Sequence, residues 1–356
     1  MLFRSLLGFV IWFTLTLPAS VYFDESFELW VRSMKIFFMV FVTLALVNDK
    51  KKLDVFIWIV VISIGFYGLK GGIFTILTGG AHRVWGPGGF VEGNNEIALA
   101  VVAVIPLMRY VQTQLTDKRA IVAMTVAMAL SVVMVLGTYS RGALVAVIAM
   151  GLYFWLKGSR KLLWGALIVA MSLAALSVMP QEWWDRMSTI QNYEEDASAQ
   201  GRINAWWMAF NLATDRIIGG GFMVSKPYFF QLYAPNPDAI HAAHSIYFQV
   251  LGEHGFVGLF LFLAVGISTW MTAGWLIKTG GTDPRFAWAA NLGPLIQVSM
   301  VGYAAGGAFL SLAYFDLPYN LMIMALVAKR YVMTQMAISA VGAEPRRAES
   351  SPLVQR

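Results

Sequence analysis

The stretch DVFIWIVVISIGFYGLKGGIFTI at residues 54–76 decides the fold. It follows Lys50, Lys51 and Lys52 after a single leucine and is long enough, as a helix, to cross about 30 Å of hydrocarbon. Working outward from it, runs long enough or nearly so recur at roughly residues 3–20, 33–48, 95–112, 120–138, 142–156, 162–179, 245–277, 286–304 and 307–328. The expected architecture is therefore an all-α polytopic membrane protein of about ten transmembrane helices.

Composition agrees. The 356 residues are 58% hydrophobic and 13% charged, with a mean hydropathy of +0.64, too apolar for a domain whose surface meets water. Cysteine is absent, so neither disulfides nor thiolate metal or nucleophile chemistry is available. The net charge of +6 does not point to nucleic acid, because the basic residues are scattered between apolar runs instead of gathered on one soluble face. The first run, from about Leu6 to Pro18 after a single Arg4, has the look of a signal peptide, but no small-residue cleavage site precedes Val21. It is read as a retained first span.

With the amino terminus inside, alternate connections carry Lys50 to Lys52, then Arg109, Lys118 and Arg119, then Lys157, Arg160 and Lys161, then Lys278 and Arg285. Most of the 26 Lys and Arg fall on that side, so both termini are assigned to the cytoplasm. The transmembrane domain covers 1–331 and a polar cytoplasmic tail covers 332–356. The longest outward segment, about 180–243, is dense in aromatics that suit the headgroup zone. Within it Ile203, Trp206, Trp207 and Phe210 recur at the spacing of an amphipathic helix lying against apolar surface. Ser198 is its expected cap and Arg202 is expected near its first turn, where backbone N–H groups favour an anion.

The remaining basic residues, among them Arg83, Arg141 and Arg202, lie on or near the outward side, against the orientation rule. Arg141 is the sharpest case, standing between two spans where an unpaired cation is costly unless it meets an anion. Snorkelling to the headgroups is an equally good reading of that residue taken alone. His241, His244 and His254 fall close together where the long segment enters the eighth span, and histidine is suited to take a proton near neutral pH. On one helix His244 and His254 would stand about 15 Å apart, too far to share a reacting group. No Asp-x-Asp, P-loop, Gly-x-Ser-x-Gly or His-Glu-x-x-His motif occurs. Glu194 and Asp196 could hold a divalent cation, although an acidic run in an outer loop is usually only solvated. Asp316, beside Pro318, is the one acid deep in an apolar run.

The residues His244-Ser245, nine further residues, Gly255, two more, then Gly258 resemble the marker of the O-antigen ligase superfamily of lipopolysaccharide ligases, O-antigen polymerases and bacterial O-oligosaccharyltransferases. Gly93-Asn94-Asn95-Glu96, Tyr139-Ser140-Arg141-Gly142-Ala143, Gly201-Arg202 and Gly219-Gly220-Gly221-Phe222 follow that family's order. The wording from Glu195 to Arg202 and around His244 is most similar to O-glycosylation ligases associated with exosortase systems. Such relatives commonly have about twelve spans and a longer amino terminus, so ten spans would mean an initial helix pair is missing.

The resemblance implies a bacterial inner-membrane enzyme with its site facing the periplasm, using neither metal nor cofactor. It implies inverting transfer of a glycan from undecaprenyl pyrophosphate to an acceptor hydroxyl, on lipid A-core or on protein Ser/Thr. His244 would be the general base, and Arg141 and Arg202 would hold the pyrophosphate as its charge grows, as bidentate guanidinium groups do well. Asn94, His241 and Arg83 are further substrate-binding candidates. Capping of the fourth span is an equally good reading of Asn94. An O-antigen or exopolysaccharide polymerase is the alternative, and a polysaccharide transporter or flippase a more distant one, since it would call for broken helices and paired charges at mid-membrane.

Overall fold

The computed structural model describes residues 2–157, 180–188 and 197–342, and the regular structure within them is helical throughout. In chain order the helices are α1 (Leu2–Thr16), α2 (Phe23–Leu46), α3 (Lys50–Leu77), α4 (Asn94–Thr113), α5 (Lys118–Gly137), α6 (Arg141–Lys157), α7 (Gln181–Ser188), α8 (Ala197–Asp215), α9 (Pro227–Tyr233), α10 (Ile246–Thr282), α11 (Ala287–Gly307) and α12 (Asp316–Gly342). Seven stretches among the described residues are long and apolar enough to cross a membrane: Leu2–Ala19, Phe23–Leu46, Lys50–Leu77, Asn94–Thr113, Lys118–Gly137, Ile246–Thr282 and Asp316–Ala340. The 17-residue α6 and the 21-residue α11 pack among them. The expected span at 162–179, the acidic pair Glu194 and Asp196, and the end of the tail lie outside the described residues.

Local chemistry sets the helix starts. Asp49 accepts from the backbone N–H of Lys52 at 2.8 Å, Asp117 from that of Arg119 at 2.9 Å, and Ser140 from that of Ala143 at 3.2 Å, so each satisfies a donor that the first turn leaves open. Two boundaries differ from the expected runs. α2 begins at Phe23 instead of 33, because Asp24 and Glu25 fall in its first turn, where the helix dipole favours acids. The last helix begins at Asp316 and not near 307. The apolar residues 308–315 form turns held by Tyr303 Oη donating to the Leu312 carbonyl at 2.9 Å and Tyr319 Oη to that of Ala313 at 2.7 Å. Pro318 sits in the first turn of α12, where its missing N–H costs nothing. Asp316 is therefore at a helix start, not deep in a span.

α4 is the central helix: 78% of its most apolar window is buried, against 17% for α2 and 22% for α5, which leave their apolar faces outward. It is enclosed by α3, α5, α6 and α11. α3 and α5 cross closely because Gly68, Gly71 and Gly72 carry no side chain, and a β carbon at Gly72 would overlap the Leu130 carbonyl.

One end of the bundle, here the loop end, gathers the starts of α4, α6 and α10 and the finishes of α3, α5 and α11. Val84 N–H donates to Gly137 at 3.0 Å, Ser26 Oγ to Phe222 at 2.8 Å, Arg216 to Ala19 at 2.9 Å and Trp183 Nε1 to Leu136 at 3.2 Å. The described parts of the segment from 180 to 245 thus pack on this end. The opposite, basic end holds Lys50, paired with Asp54 at 2.5 Å and lying over Trp288, together with Arg285 and Lys329.

Candidate functional site

The loop that carries His241 and His244 is built by α8. Asn204, buried there, donates to the carbonyls of Asn236 at 2.8 Å and Ala239 at 3.0 Å and accepts from the N–H of Asn236 at 2.9 Å. Trp206 Nε1 donates to Ala243 at 2.7 Å, and its ring stacks on Phe248 with 5.0 Å between centroids. Gly201 admits the His241 ring against the helix backbone, at a place where any β carbon would collide with it. Arg202 is the next residue. His244 itself takes a positive φ of 40°, a strained conformation for a residue with a β carbon, immediately before α10.

Burial is the main reason that the His244 imidazole resists protonation, and the positive Arg202 and the neighbouring His241 add to it. Its pKa is therefore below the ordinary histidine value. A neutral imidazole beside a fixed guanidinium can accept a proton from a hydroxyl, while the guanidinium binds an anion.

The second group of candidates surrounds the turn between α5 and α6. Tyr139 has φ 58°, and its hydroxyl donates to the Gly80 carbonyl at 2.6 Å. The Arg83 guanidinium lies 5.4 Å from the centre of the Tyr139 ring. Asn94 does not cap α4, whose cap position is Gly93. It donates instead to the Thr138 carbonyl at 2.7 Å and so ties the start of α4 to the turn. Arg141 is the first residue of α6, where the helix dipole is positive and favours an anion.

The end of α11 joins the two groups. A β carbon on Gly142 would stand 3.4 Å from Phe309 and 3.7 Å from the Gly306 carbonyl, and one on Gly307 would meet Ile246 at 2.7 Å. Tyr247 Oη donates to Ala304 at 2.9 Å. Below this junction, between α10, α11 and α12, an apolar cavity of about 310 Å³ is lined by Ile246, Tyr247, Phe262, Met300, Tyr303 and Tyr319. Its lining begins two residues after His244.

The glycines of the marker are structural. Gly255 has φ 67°, which breaks α10 into two helical pieces, and a β carbon there would overlap the Ile217 carbonyl. Across the break, Gly220 N–H donates to Gly252 and Gly221 N–H to Glu253, each at 2.9 Å, so the Gly219–Gly221 stretch clasps the kink. His254 does not join the other histidines. It is buried in the core, with Nδ1 2.8 Å from Thr16 Oγ1 and Nε2 2.8 Å from Tyr314 Oη, and Tyr314 also lies 2.5 Å from Glu253 Oε2. These two Tyr314 contacts need two protons, one from its hydroxyl and one from Glu253 or His254.

The structure thus brings Arg202, His241 and His244 into one group and Arg83, Asn94 and Arg141 into another at the same end of the fold. Two details differ from expectation. α8 is described from Ala197, so Ser198 lies inside it and Arg202 is in the second turn; the helix start that meets this end at a cation is that of α6, at Arg141. The buried face of α8 is Ala205, Met208 and Leu212, all at most 1% exposed, whereas Trp207 and Phe210 are 53% and 41% exposed. Small and flexible side chains fit the interior here, Trp206 packs on Phe248, and the Trp207 and Phe210 rings face outward. Asn204, which anchors the loop, was not among the expected residues; a lone Asn four residues ahead of Met208 on an otherwise apolar face is the only signal of it. Among the described residues, no group of three or more His, Asp or Glu could hold a metal ion.

Residues 126–263 match the family described as O-antigen ligase, a stretch that contains Arg141, Arg202, His241 and His244. Residues 2–116, with Arg83 and Asn94, match a family of unknown function. No curated protein matches the chain. The first match supports the O-antigen ligase superfamily, and with it an enzyme of the ligase or polymerase type that transfers a glycan within a membrane.

Proposed function

We propose that the protein is an inverting glycan ligase that takes its glycan from undecaprenyl pyrophosphate and delivers it to an acceptor hydroxyl at the periplasmic face of a bacterial inner membrane. The acceptor class is lipid A-core or a protein Ser/Thr. In this reading the acceptor oxygen attacks the anomeric carbon as its proton passes to His244. The bond from that carbon to the phosphate oxygen breaks, and polyprenyl pyrophosphate leaves with the electron pair. Arg141 and Arg202 hold the departing charge, which strengthens their contact in the transition state. His241, Asn94 and Arg83 contribute to binding the donor, and the apolar cavity beside Tyr247 accepts part of its polyprenyl chain.

One observation carries the reading: the partly buried His244 lies close enough to Arg202 for that cation to lower the imidazole's pKa, and both fall in the stretch that matches the O-antigen ligase family. The basic residues gathered at the opposite end support cytoplasmic termini. The ion pairs seen among the described residues, such as Lys50–Asp54, Lys226–Glu25 and Arg285–Asp283, lie at helix ends, unlike the mid-membrane pairs of a transporter.

The test uses purified protein, a lipid-linked glycan and separate acceptors. A ligase moves the glycan to lipid A-core or to a Ser/Thr peptide and releases polyprenyl pyrophosphate. A polymerase lengthens the glycan on the lipid instead. If His244→Ala left consumption of the lipid-linked glycan intact, the catalytic assignment would be withdrawn.

A further inference from the structure

At the basic end, far from the candidate site, two apolar clefts open side by side. The larger, of about 640 Å³, lies between α1, α10 and α12 and is lined by Leu2, Met271, Trp275 and Met333. The smaller, of about 470 Å³, lies between α1, α2 and α12 and is lined by Phe3, Phe41 and Leu44. Leu326 and Arg330 belong to both.

The charges around the clefts are of one sign. Arg330 is exposed at their shared wall, Lys329 sits at the larger cleft with Nζ 5.2 Å from the centre of the Trp275 ring, and Arg4 is exposed on the first turn of α1. The carboxylates described at this end are already engaged: Asp49 and Asp54 by Lys52 and Lys50, Asp117 by the start of α5, and Asp283 by Arg285. Among the described residues none pairs with Arg4, Lys329 or Arg330.

Apolar clefts that open from a transmembrane bundle fill with acyl chains, because leaving their lining to water is costly. Charge at the mouth decides which lipid stays, because a guanidinium at the membrane surface binds phosphate strongly and a cationic pocket between helices favours anionic headgroups. Two apolar clefts meeting at one cation match a molecule with two chains and one phosphate.

We propose that the basic end carries a binding site for one anionic phospholipid, with an acyl chain in each cleft, its phosphate on Arg330, and Lys329 and Arg4 at the rim. The site is independent of glycan transfer and stands whether or not that reading does.

The experiment is native mass spectrometry and thermal unfolding of the full chain in detergent, titrated with phosphatidylglycerol, phosphatidylcholine or inorganic phosphate. One phosphatidylglycerol should remain bound at collision energies that strip phosphatidylcholine, and should raise the unfolding temperature where inorganic phosphate does not. The double variant Lys329→Gln/Arg330→Gln should lose on the order of 30-fold in affinity, from about one factor of five to six per charge. Leu326→Trp, which blocks the shared wall without touching charge, should also weaken binding, and His244→Ala should leave it unchanged. Equal retention of the two lipids, an equal effect of free phosphate, or undiminished binding by the double variant would each overturn the proposal.

Discussion

The backbone of Gly201 lies directly against the imidazole of His241: a β carbon built there would stand 2.8 Å from Cγ and 3.0 Å from Nε2, inside van der Waals contact. Gly201→Ala must push the ring, and the loop bearing His244, away from Arg202. Displacements of about 1 Å near reacting groups cost on the order of 10²-fold in rate. Transfer by Gly201→Ala should fall by about that factor while its unfolding temperature stays near that of the parent. Parental rates in this variant would separate the His241 contact from the chemistry.

Replacing His244 with alanine or glutamine should lower the transfer rate by about 10²- to 10⁴-fold with little change in donor binding. Because burial first, and Arg202 and His241 after it, hold the His244 pKa below 6.5, the neutral base persists to lower pH than for an ordinary histidine. The acid limb of the rate profile should therefore lie below pH 6.5. Arg202→Gln removes one of the positive neighbours and should move that limb upward, besides lowering the rate. A limb that stays in place in Arg202→Gln would show that His244 is not the titrating group.

Arg141→Lys keeps the charge at the start of α6 but loses the planar fork that can bind two phosphate oxygens together. A loss of transfer approaching that of Arg141→Gln is expected, with both proteins folding normally. If lysine restored full activity, Arg141 would act only as a diffuse charge, as a snorkelling residue does.

Gly255→Ala places a β carbon at φ 67° and into the Ile217 carbonyl. The backbone term alone costs about 1–3 kcal/mol, and the collision adds to it. Thermal unfolding in detergent should show a clear loss of stability, whereas Gly266→Ala, where a β carbon meets nothing within 4 Å, should be neutral or nearly so.

Tyr314→Phe removes a hydroxyl that serves both Glu253 and His254 in the core. Each buried group left short of a partner costs about 1–3 kcal/mol. The variant should be distinctly less stable than Tyr247→Phe, which strips a single bond to the Ala304 carbonyl. Equal stabilities would mean that the buried trio contributes nothing beyond ordinary packing.

The helical membrane class was readable because uninterrupted apolar runs leave few other structures possible in lipid. Boundaries were less so where the chain breaks without a polar residue, as at 308–315, since tyrosine hydroxyls and a first-turn proline end and start helices there without changing hydropathy. In the candidate site, Arg141 and Arg202 were readable as cations on the outward side, against the orientation rule, and His244 through the marker it begins. Asn204 and Tyr314 were not. Their importance comes from partners 32 and 61 residues away, which no local pattern encodes.

The grip of α1 on the kink in α10 bears on how the chain is made. Trp12 donates to the His254 carbonyl and Thr16 meets its ring, across separations of 242 and 238 residues. The first helix is therefore made long before those partners have left the ribosome, and its bonds to the kink form only once residue 254 has joined the bundle. A chain truncated before residue 254 lacks both of the bonds that tie the first helix to the kink.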